Sequence, residues 1–474
     1  MGQVVDLTKA ASARTGVSVT QQLAAFGASM TFERLPKEVV EKAKLCILDT
    51  LGCCIFGAAL PSFEKLAAVV AAENCSPQAT VFGHPLRTSA SCAALLNGTS
   101  AHAFQFDEIH IESTLHPGPL AFPAVFALAE RIDRASGREL ITAMVAGYEV
   151  GLRIGLALKG GMFKSGFHNQ GTTGVFVAAA AAARLLGLDV KQTVAALGIA
   201  ASQAAGLMAV QDGAMTKSFH SGRAAQSGLY AALLAQQGYT GITDVLDGAY
   251  GTFFSAFVED WSTEALTQDL GSDWKIMRVG FKPASASNGS ITAMTAIDSI
   301  MREHGLRADD IESVMAFVSD NTLHHCGWPY VPDRIHSVLS AQMNLRYGIA
   351  VMALDRQAGV EQFDEARIRD PEILKFIERI DVRHDPAFDA ENGRFRVGCR
   401  LVVRSRSNAH EKTILYRRGS PEDPMTVDQL TAKFSALASR QHGLNVSQVA
   451  EALGEMDRLP NMTALTRLLR AEDC

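Results

Sequence analysis

Runs of alanine and glycine inside apolar segments constrain the fold of this chain more than any other feature. Two of them read VFVAAAAAARLLG at 175–187 and VAALGIAASQAAGL at 194–207. Alanine is the strongest helix former, and small side chains let neighbouring helices approach closely on several faces. The runs therefore predict a packed helical domain rather than a bundle with a single apolar seam.

Hydrophobic periodicity divides the chain into helical and strand-like parts. Helical patterns recur up to about residue 270, over 337–354 and from 427 onwards, whereas 311–319 and 394–404 alternate apolar and polar residues. We expect 394–404 to lie in an antiparallel sheet, with 412–418 as its hairpin partner. The sequence thus predicts a mainly α protein with a large all-helical domain (1–270), a smaller α+β lid domain inserted before the C-terminal helices (271–405), and a return to the helical domain (406–474).

Charge and composition favour a small-molecule partner. The net charge is −6 over 474 residues, and the lack of a basic run argues against nucleic acid or an anionic membrane as a partner. Neither a membrane-spanning segment nor a secretion signal is expected, and the eight cysteines lack metal-like spacing. We therefore expect a cytoplasmic protein with reduced thiols. Nucleotide-binding, serine-hydrolase and zincin motifs are missing, which disfavours those classes of enzyme.

Titratable residues crowd one stretch where the chain changes direction, at 101–123. Six of them fall within 15 positions: His102, Asp107, Glu108, His110, Glu112 and His116. The stretch then ends in His-Pro-Gly-Pro, a turn signal. Loops on a rigid scaffold commonly supply catalytic groups, so this stretch is a candidate site. The alternative interpretation is a solvated helix end with satisfied histidines.

Three further stretches combine chemistry-bearing residues with glycine or proline. Residues 165–174, which include His168, precede an apolar helix whose N-terminus suits a carboxylate. Lys217 and His220 lie three residues apart, and their repulsion is relieved if an anion lies between them. Lys282 begins the second domain and is placed to reach over a cleft. Such a set suits proton transfer on a small polyacid, at the carbon alpha to a carboxylate held by cations.

Several short motifs together resemble the MmgE/PrpD family. They are Asn97-Gly98 with His102 and Phe106-Asp107, Thr114 to Pro117, Gly166 to His168, Met215 to Lys217 with His220 to Gly222, and Gly419 to Met425. The likeness runs in matching order from about residue 20 to 440. It implies a helical domain, an α+β lid, a homodimer, and activity without metal or organic cofactor. The family includes dehydratases, decarboxylases and an epimerase of small polycarboxylic acids.

The resemblance also implies roles for individual residues. Catalytic roles fall to His116, His168, Lys217 and Tyr347, and substrate-binding roles to His102, Gln105, Asp107, His220 and Lys282. Two departures stand out: an amide, Gln105, replaces a carboxylate, and Ser287 and Ile291 occupy places where members commonly carry Cys and His. We therefore expect the pocket to persist and the substrate to differ.

Four functions compete at this point. The leading hypothesis is a cofactor-independent lyase, a dehydratase or decarboxylase, acting on a small di- or tricarboxylic acid. An isomerase or epimerase using the same residues is the alternative. A metal-dependent hydrolase built on Asp107, Glu108, His110, Glu112 and His116 is a third interpretation, which the loose ligand spacing disfavours. A binding protein that has lost turnover, motivated by Gln105 and Ile291, is the fourth.

Overall fold

The computed structural model describes residues 16–248, 250–389, 395–406 and 408–470. Helices of nine or more residues are numbered in chain order. They are α1 (Val19–Ser29), α2 (Lys37–Ala58), α3 (Pro61–Ala72), α4 (Ala90–Ala101), α5 (Gly118–Ile132), α6 (Gly137–Ala157), α7 (Gly174–Leu186), α8 (Val190–Ala201), α9 (Thr216–Gln236), α10 (Asn288–Glu303), α11 (Leu345–Asp355), α12 (Val427–Ala438) and α13 (Val446–Gly454).

Shorter helices connect these elements. They are Gly161–Lys164, Asn169–Thr172, Phe253–Phe257, Glu264–Thr267, Asp320–Cys326, Val338–Gln342, Pro371–Ile377 and Thr463–Leu469. The strands are β1 (Ala79–Thr80), β2 (Arg87–Thr88), β3 (Ile311–Val318), β4 (Ile380–His384), β5 (Cys399–Ser405) and β6 (Ala409–Ile414). The predicted mainly α fold class with a small α+β part is confirmed.

Close packing of small residues joins the central helices, as the sequence predicts. A Cβ at Gly222 of α9 would lie 2.1 Å from the carbonyl oxygen of Leu95 in α4, and one at Gly228 would lie 2.5 Å from Ala178 in α7. Side chains at these glycines would therefore push the helices apart. This contact sets α9, which carries Lys217 and His220, directly against α4, which ends next to His102.

The four-stranded sheet has the order β4-β3-β5-β6. Its β5 pairs antiparallel with β3 and β6, and Cys399, Leu401 and Val403 of β5 face the core. The sheet is mixed rather than antiparallel, because β4 pairs parallel with β3. The sequence prediction names no segment for strands β2 and β4 or for helices α1, α3 and α10. Arg394 lies outside the described residues.

Two boundaries differ from those expected. Strand β6 continues the sheet beyond residue 405, so the expected end of the lid falls within a hairpin. The helix expected over 337–354 is broken at Met343 and Asn344, because the Asn344 side chain accepts a hydrogen bond from the backbone N–H of Tyr347 and caps α11. The division of the chain into domains stays a prediction.

Helix α12, the first of the helices after the sheet, packs on α2 of the first part of the chain. A Cβ at Gly52 would lie 3.1 Å from the Phe434 ring, and Lys433 Nζ lies 2.6 Å from Asp49 Oδ1. Helix α6 is long and apolar enough to cross a membrane, but 94% of its apolar window is buried inside the protein. Packing within the helical core therefore accounts for its hydrophobicity.

Candidate active site

The segment from His102 to Glu108 forms the floor of the candidate site. His102 follows the last turn of α4, and Gln105 adopts a left-handed backbone conformation with φ of 57°. Lys433 holds the segment from below, because its Nζ donates to the Phe106 carbonyl at 2.6 Å. Asp49 accepts a hydrogen bond from the Glu108 N–H at 3.0 Å. The buried Lys433–Asp49 pair thus fixes the backbone on either side of Asp107.

Asp107 joins two of the predicted histidines. Its Oδ2 lies 2.8 Å from Nδ1 of His102 and 3.0 Å from Nδ1 of His116. The first contact has hydrogen-bond geometry, whereas Nδ1 of His116 has no hydrogen-bond partner. An N–H on Nδ1 of His102 leaves its Nε2 as an acceptor, and Nε2 lies 3.5 Å from Lys217 Nζ. Asp107 therefore orients His102 toward the lysine.

Two buried lysines from different parts of the chain converge on Gln105. Lys217 Nζ donates to the Gln105 side-chain oxygen at 2.9 Å, and Lys282 Nζ donates to the Gln105 backbone carbonyl at 2.8 Å. Both side chains are buried. Among the described side chains, Asp107 is the one carboxylate that contacts this cluster. The site thus has more cationic than anionic groups and suits a polyanion.

A second histidine pair extends the cluster. Nδ1 of His168 and Nδ1 of His220 lie 3.0 Å apart, so one ring donates and the other accepts. The His168 ring centroid is 6.0 Å from that of His102, which in turn is 4.8 Å from that of His116. Four imidazoles therefore form a continuous row from the 101–123 stretch to α9.

Burial sets the protonation of this cluster. It lowers the pKa of Lys217 to about 7, helped by the charge of Lys282, and lowers the pKa of Lys282 to about 8 against the opposing pull of Asp107. Burial also lowers the pKa of His102 to about 3, and it lowers the pKa of His168 well below the usual range, helped by the charge of Lys217. Neutral imidazoles therefore stand beside lysines that titrate near pH 7 to 8.

The histidine contacts keep Asp107 ionised. Burial alone would raise the pKa of its carboxyl group, but His116 and His102 outweigh burial and hold that pKa well below its usual range. Burial lowers the pKa of His116, and the neighbouring Asp107 carboxylate opposes this shift. Only 12% of the His116 side chain is exposed, whereas His102 is fully buried. An anionic ligand beside His116 would favour its protonated form and make it an acid.

The other acids of the 101–123 stretch lie outside the cluster. Glu108 accepts from the Gly118 N–H at 2.8 Å and from the Tyr148 hydroxyl, and burial raises its pKa to about 7. His110 contacts Ser113, and Glu112 pairs with Arg278 at the surface. The five residues of the hydrolase interpretation therefore do not converge. His102, Asp107 and His116 do bring donor atoms within 4.8 Å of one another, and a hydrogen bond of 2.8 Å joins His102 to Asp107.

Tyr347 does not join the cluster. Its hydroxyl donates to the Gln362 carbonyl, and its ring packs against Tyr330 and Phe363 in the core around the sheet. The structure therefore offers no catalytic position for Tyr347. Ser287 caps α10 by accepting from the Ser290 N–H, and Ile291 is a buried core residue of the same helix. Both residues of the second departure from the family pattern thus have structural roles here.

Sequence reasoning missed one histidine of the second part of the chain. His325 lies in the short helix Asp320–Cys326, and its buried Nδ1 has no hydrogen-bond partner. Burial lowers the pKa of His325 to about 4, and among nearby charges that of Lys217 lowers it most. A cavity of about 290 Å³ opens beside it, lined also by Gln211, Arg334 and His336. No spacing in the sequence connects His325 to Lys217, because the fold alone brings them together.

Comparisons with known proteins identify sequences that this chain resembles. Residues 21–266 match the MmgE/PrpD N-terminal domain model, and residues 285–455 match the MmgE/PrpD C-terminal domain model. The chain is 29% identical to cis-aconitate decarboxylase of Aspergillus terreus (strain NIH 2624 / FGSC A1156), covering 97% of this chain and 96% of that enzyme. It is 28% identical to human cis-aconitate decarboxylase (96% and 95% covered) and 22% identical to 2-methylcitrate dehydratase of Escherichia coli (strain K12), covering 76% and 77%.

Proposed function

Because this chain belongs to the MmgE/PrpD family, we propose that it is a cofactor-independent lyase that decarboxylates a small unsaturated tricarboxylic acid. The observation that carries the proposal is the convergence of Lys217 and Lys282 on Gln105, beside the Asp107–His102–His116 group. Two buried ammonium groups can hold two carboxylates, and the imidazoles can move a proton at the carbon between them.

The reaction needs one proton and no redox partner. The bond to the departing carboxylate breaks, and its electron pair forms a new carbon–carbon double bond. The electron pair of the old double bond takes a proton at the carbon alpha to a remaining carboxylate. Carbon dioxide leaves, and solvent returns the proton to the enzyme.

His116 is the proposed proton donor, because its partly exposed ring lies 3.0 Å from the Asp107 carboxylate, whereas the other partly exposed ring, His168, pairs with His220. Asp107 stabilises its imidazolium form by proximity, and the substrate carboxylates raise its pKa further. Lys217 and Lys282 bind carboxylates, and His168 with His220 lines the far side of the row. His102 and Gln105 position Lys217 through their contacts to its Nζ.

Decarboxylation is preferred over dehydration because the decarboxylases are the relatives that cover nearly the whole chain. Dehydration of a hydroxy tricarboxylate is the second candidate, supported by the match to 2-methylcitrate dehydratase. Both reactions move a proton at the carbon alpha to a carboxylate: decarboxylation adds a proton there, and dehydration removes one while the hydroxyl group leaves as water. Epimerisation gains no support from the relatives named above. The Gln105 amide, in place of a carboxylate, suggests a substrate with one more negative charge near Lys217 than members with the carboxylate accept.

A substrate panel tests the proposal. Purified protein is incubated with cis-aconitate, its trans isomer, 2-methylcitrate and citrate, and products are identified by NMR together with release of carbon dioxide. We expect carbon dioxide from an unsaturated tricarboxylate and lower turnover in Lys217→Ala. Products that keep every substrate atom would refute a lyase and favour the isomerase.

Two further statements belong to the proposal. We propose a homodimer, as the resemblance implies, and size-exclusion chromatography with light scattering checks it, with a monomeric mass as the contrary result. We also propose a cytoplasmic location, from the composition and cysteine usage, which fractionation of the native cells checks.

A further inference from the structure

Three donor groups meet at a place that the proposed reaction does not use. Glu73 follows the last residue of α3, Cys75 comes two residues later, and Cys92 is the third residue of α4. Both thiols approach the same carboxylate oxygen: Sγ of Cys92 lies 3.7 Å and Sγ of Cys75 lies 3.9 Å from Oε2 of Glu73. All three donor atoms lie within 4.8 Å of one another.

The spacing of these donors matches three corners of a small tetrahedron. With metal–sulfur bonds of about 2.3 Å and metal–oxygen bonds of about 2.0 Å, tetrahedral zinc puts sulfur and oxygen ligands roughly 3.5 Å apart and two sulfurs roughly 3.8 Å apart. The two observed sulfur–oxygen distances exceed this by a few tenths of an ångström. A shift of a few tenths of an ångström would bring both sulfur–oxygen distances to those of a zinc site.

The local charges also favour a cation. Two thiols and one carboxylate lie within 4.8 Å of one another. Ionised together, these groups repel one another unless a cation lies between them. Cys92 also lies in the first turn of α4, where the helix N-terminus stabilises a thiolate.

We propose that Glu73, Cys75 and Cys92 bind one divalent cation of the zinc class, with water at the fourth position. Two thiolates and one carboxylate select a soft or borderline ion over magnesium or calcium. Binding releases the two thiol protons, so affinity rises with pH. The ion would tie the end of α3 to the first turn of α4, whose other end carries His102, and thereby stabilise the helical domain without touching the reacting groups.

The test uses the full chain with Cys474→Ser. This substitution removes a further thiol, because Cys474 lies outside the described residues and could itself bind cadmium. The protein is stripped of metal, reduced with a non-thiol reductant and titrated with cadmium, and the thiolate-to-cadmium charge-transfer absorption is followed. We expect one ion per chain with a two-thiolate band, displaced by zinc. Zinc should also raise the melting temperature, and the metal-free protein should keep its activity.

Single substitutions test which residues form the metal site. Cys75→Ser and Cys92→Ser should lose the band, and Glu73→Gln, at an exposed position, should weaken binding at least ten-fold. Cys54→Ala is the matched control, because the Cys54 thiol is buried elsewhere and contacts the Asn97 carbonyl. Should Cys92→Ser fail to fold, the half-buried Cys75 and the exposed Glu73 carry the test. Metal binding that persists without a thiolate band would point to His102, Asp107 and His116. That result overturns the proposal. So does the absence of a band in the parent chain, and so does a Cys75–Cys92 disulfide in place of metal binding.

Discussion

Polyanion binding should draw protons into the site through Lys217. The difference between the ordinary lysine pKa of 10.5 and about 7 for Lys217 corresponds to roughly 5 kcal/mol against the charged form. A bound carboxylate removes that penalty by pairing with the ammonium group. Without a bound ligand, the buried Lys217 destabilises the folded state, whereas a lysine in a stabilising ion pair has the opposite effect. Between about pH 7 and 10.5 the unfolded chain binds more protons at this lysine, so stability rises with pH in that window.

The size of the proton uptake follows from the two lysine pKa values. At pH 8, a pKa of about 7 leaves Lys217 about one-tenth protonated, and a pKa of about 8 leaves Lys282 about half protonated. Full protonation in the complex then takes up about 0.9 proton at Lys217 and about 0.5 at Lys282. The same fractions predict that the Kd of a polyanion rises about ten-fold between pH 7 and pH 8.

Isothermal titration calorimetry in buffers of different ionisation enthalpy measures this uptake. Tricarballylate is a suitable probe, because it carries three carboxylates and has no double bond to react. We expect Lys217→Met to lower the uptake by about 0.9 proton at pH 8 and to flatten the pH dependence of Kd to about two-fold, as Lys282 alone would give. Lys65→Met, at an exposed lysine of α3, is the matched control and should behave as the parent chain.

One outcome would refute the reasoning. If tricarballylate binds with normal stoichiometry and the parent and Lys217→Met take up the same number of protons, Lys217 is not the group that ligand binding protonates. The placement of Lys217 as a carboxylate-binding residue would then be wrong.

Four further perturbations have defined outcomes. His116→Gln should keep the circular dichroism spectrum and melting temperature while turnover falls about 10²–10⁴-fold, because a proton donor is lost; parental turnover would remove His116 from the mechanism. His325→Ala should raise KM about ten-fold with little change in kcat, because a hydrogen bond to a charged group is worth about 1.5 kcal/mol or more; an unchanged KM would mean that substrate does not use its free Nδ1. Lys433→Met should lower the free energy of unfolding in urea by about 3–5 kcal/mol, because Asp49 is left buried without its partner, whereas Lys412→Met, whose partner Glu303 is exposed, should cost far less; equal costs would contradict this difference. Tyr347→Phe should cost about 1 kcal/mol of stability by losing the bond to Gln362 and leave kcat within about two-fold; a ten-fold loss of kcat would return Tyr347 to the site.

Much of the site could be predicted because its residues lie in short local motifs. His102, Asp107 and His116 occur within one stretch, and Lys217 and His220 lie on one helix face, so spacing alone grouped them. Membership of the MmgE/PrpD family and assignment to the lyases are confirmed by the family models and by the relatives. The mainly α fold followed from the small-residue helices, whose close contacts at Gly222 and Gly228 are those expected.

The remaining features depend on long-range contacts that no local pattern encodes. Lys433 reaches the Phe106 carbonyl across 327 positions of the chain, and nothing near Lys433 distinguishes it from a solvated lysine. The position of Tyr347 away from the cluster has a related cause, because a buried tyrosine with a hydroxyl partner satisfies a core as well as a pocket. Its catalytic role stays a prediction. Strand β4 is five residues long and pairs in parallel with a distant strand, so its short pattern was missed.

Proton NMR in deuterated water, with the unsaturated tricarboxylate that the substrate panel identifies and a chelator present, tests the central claim most directly. Metal-free proton transfer to a carbon predicts one deuterium in the product, at the carbon alpha to a remaining carboxylate, with release of carbon dioxide and marked loss of the reaction in His116→Gln. A product that carries no deuterium at that carbon, or a reaction that stops when the chelator is added, would contradict the account.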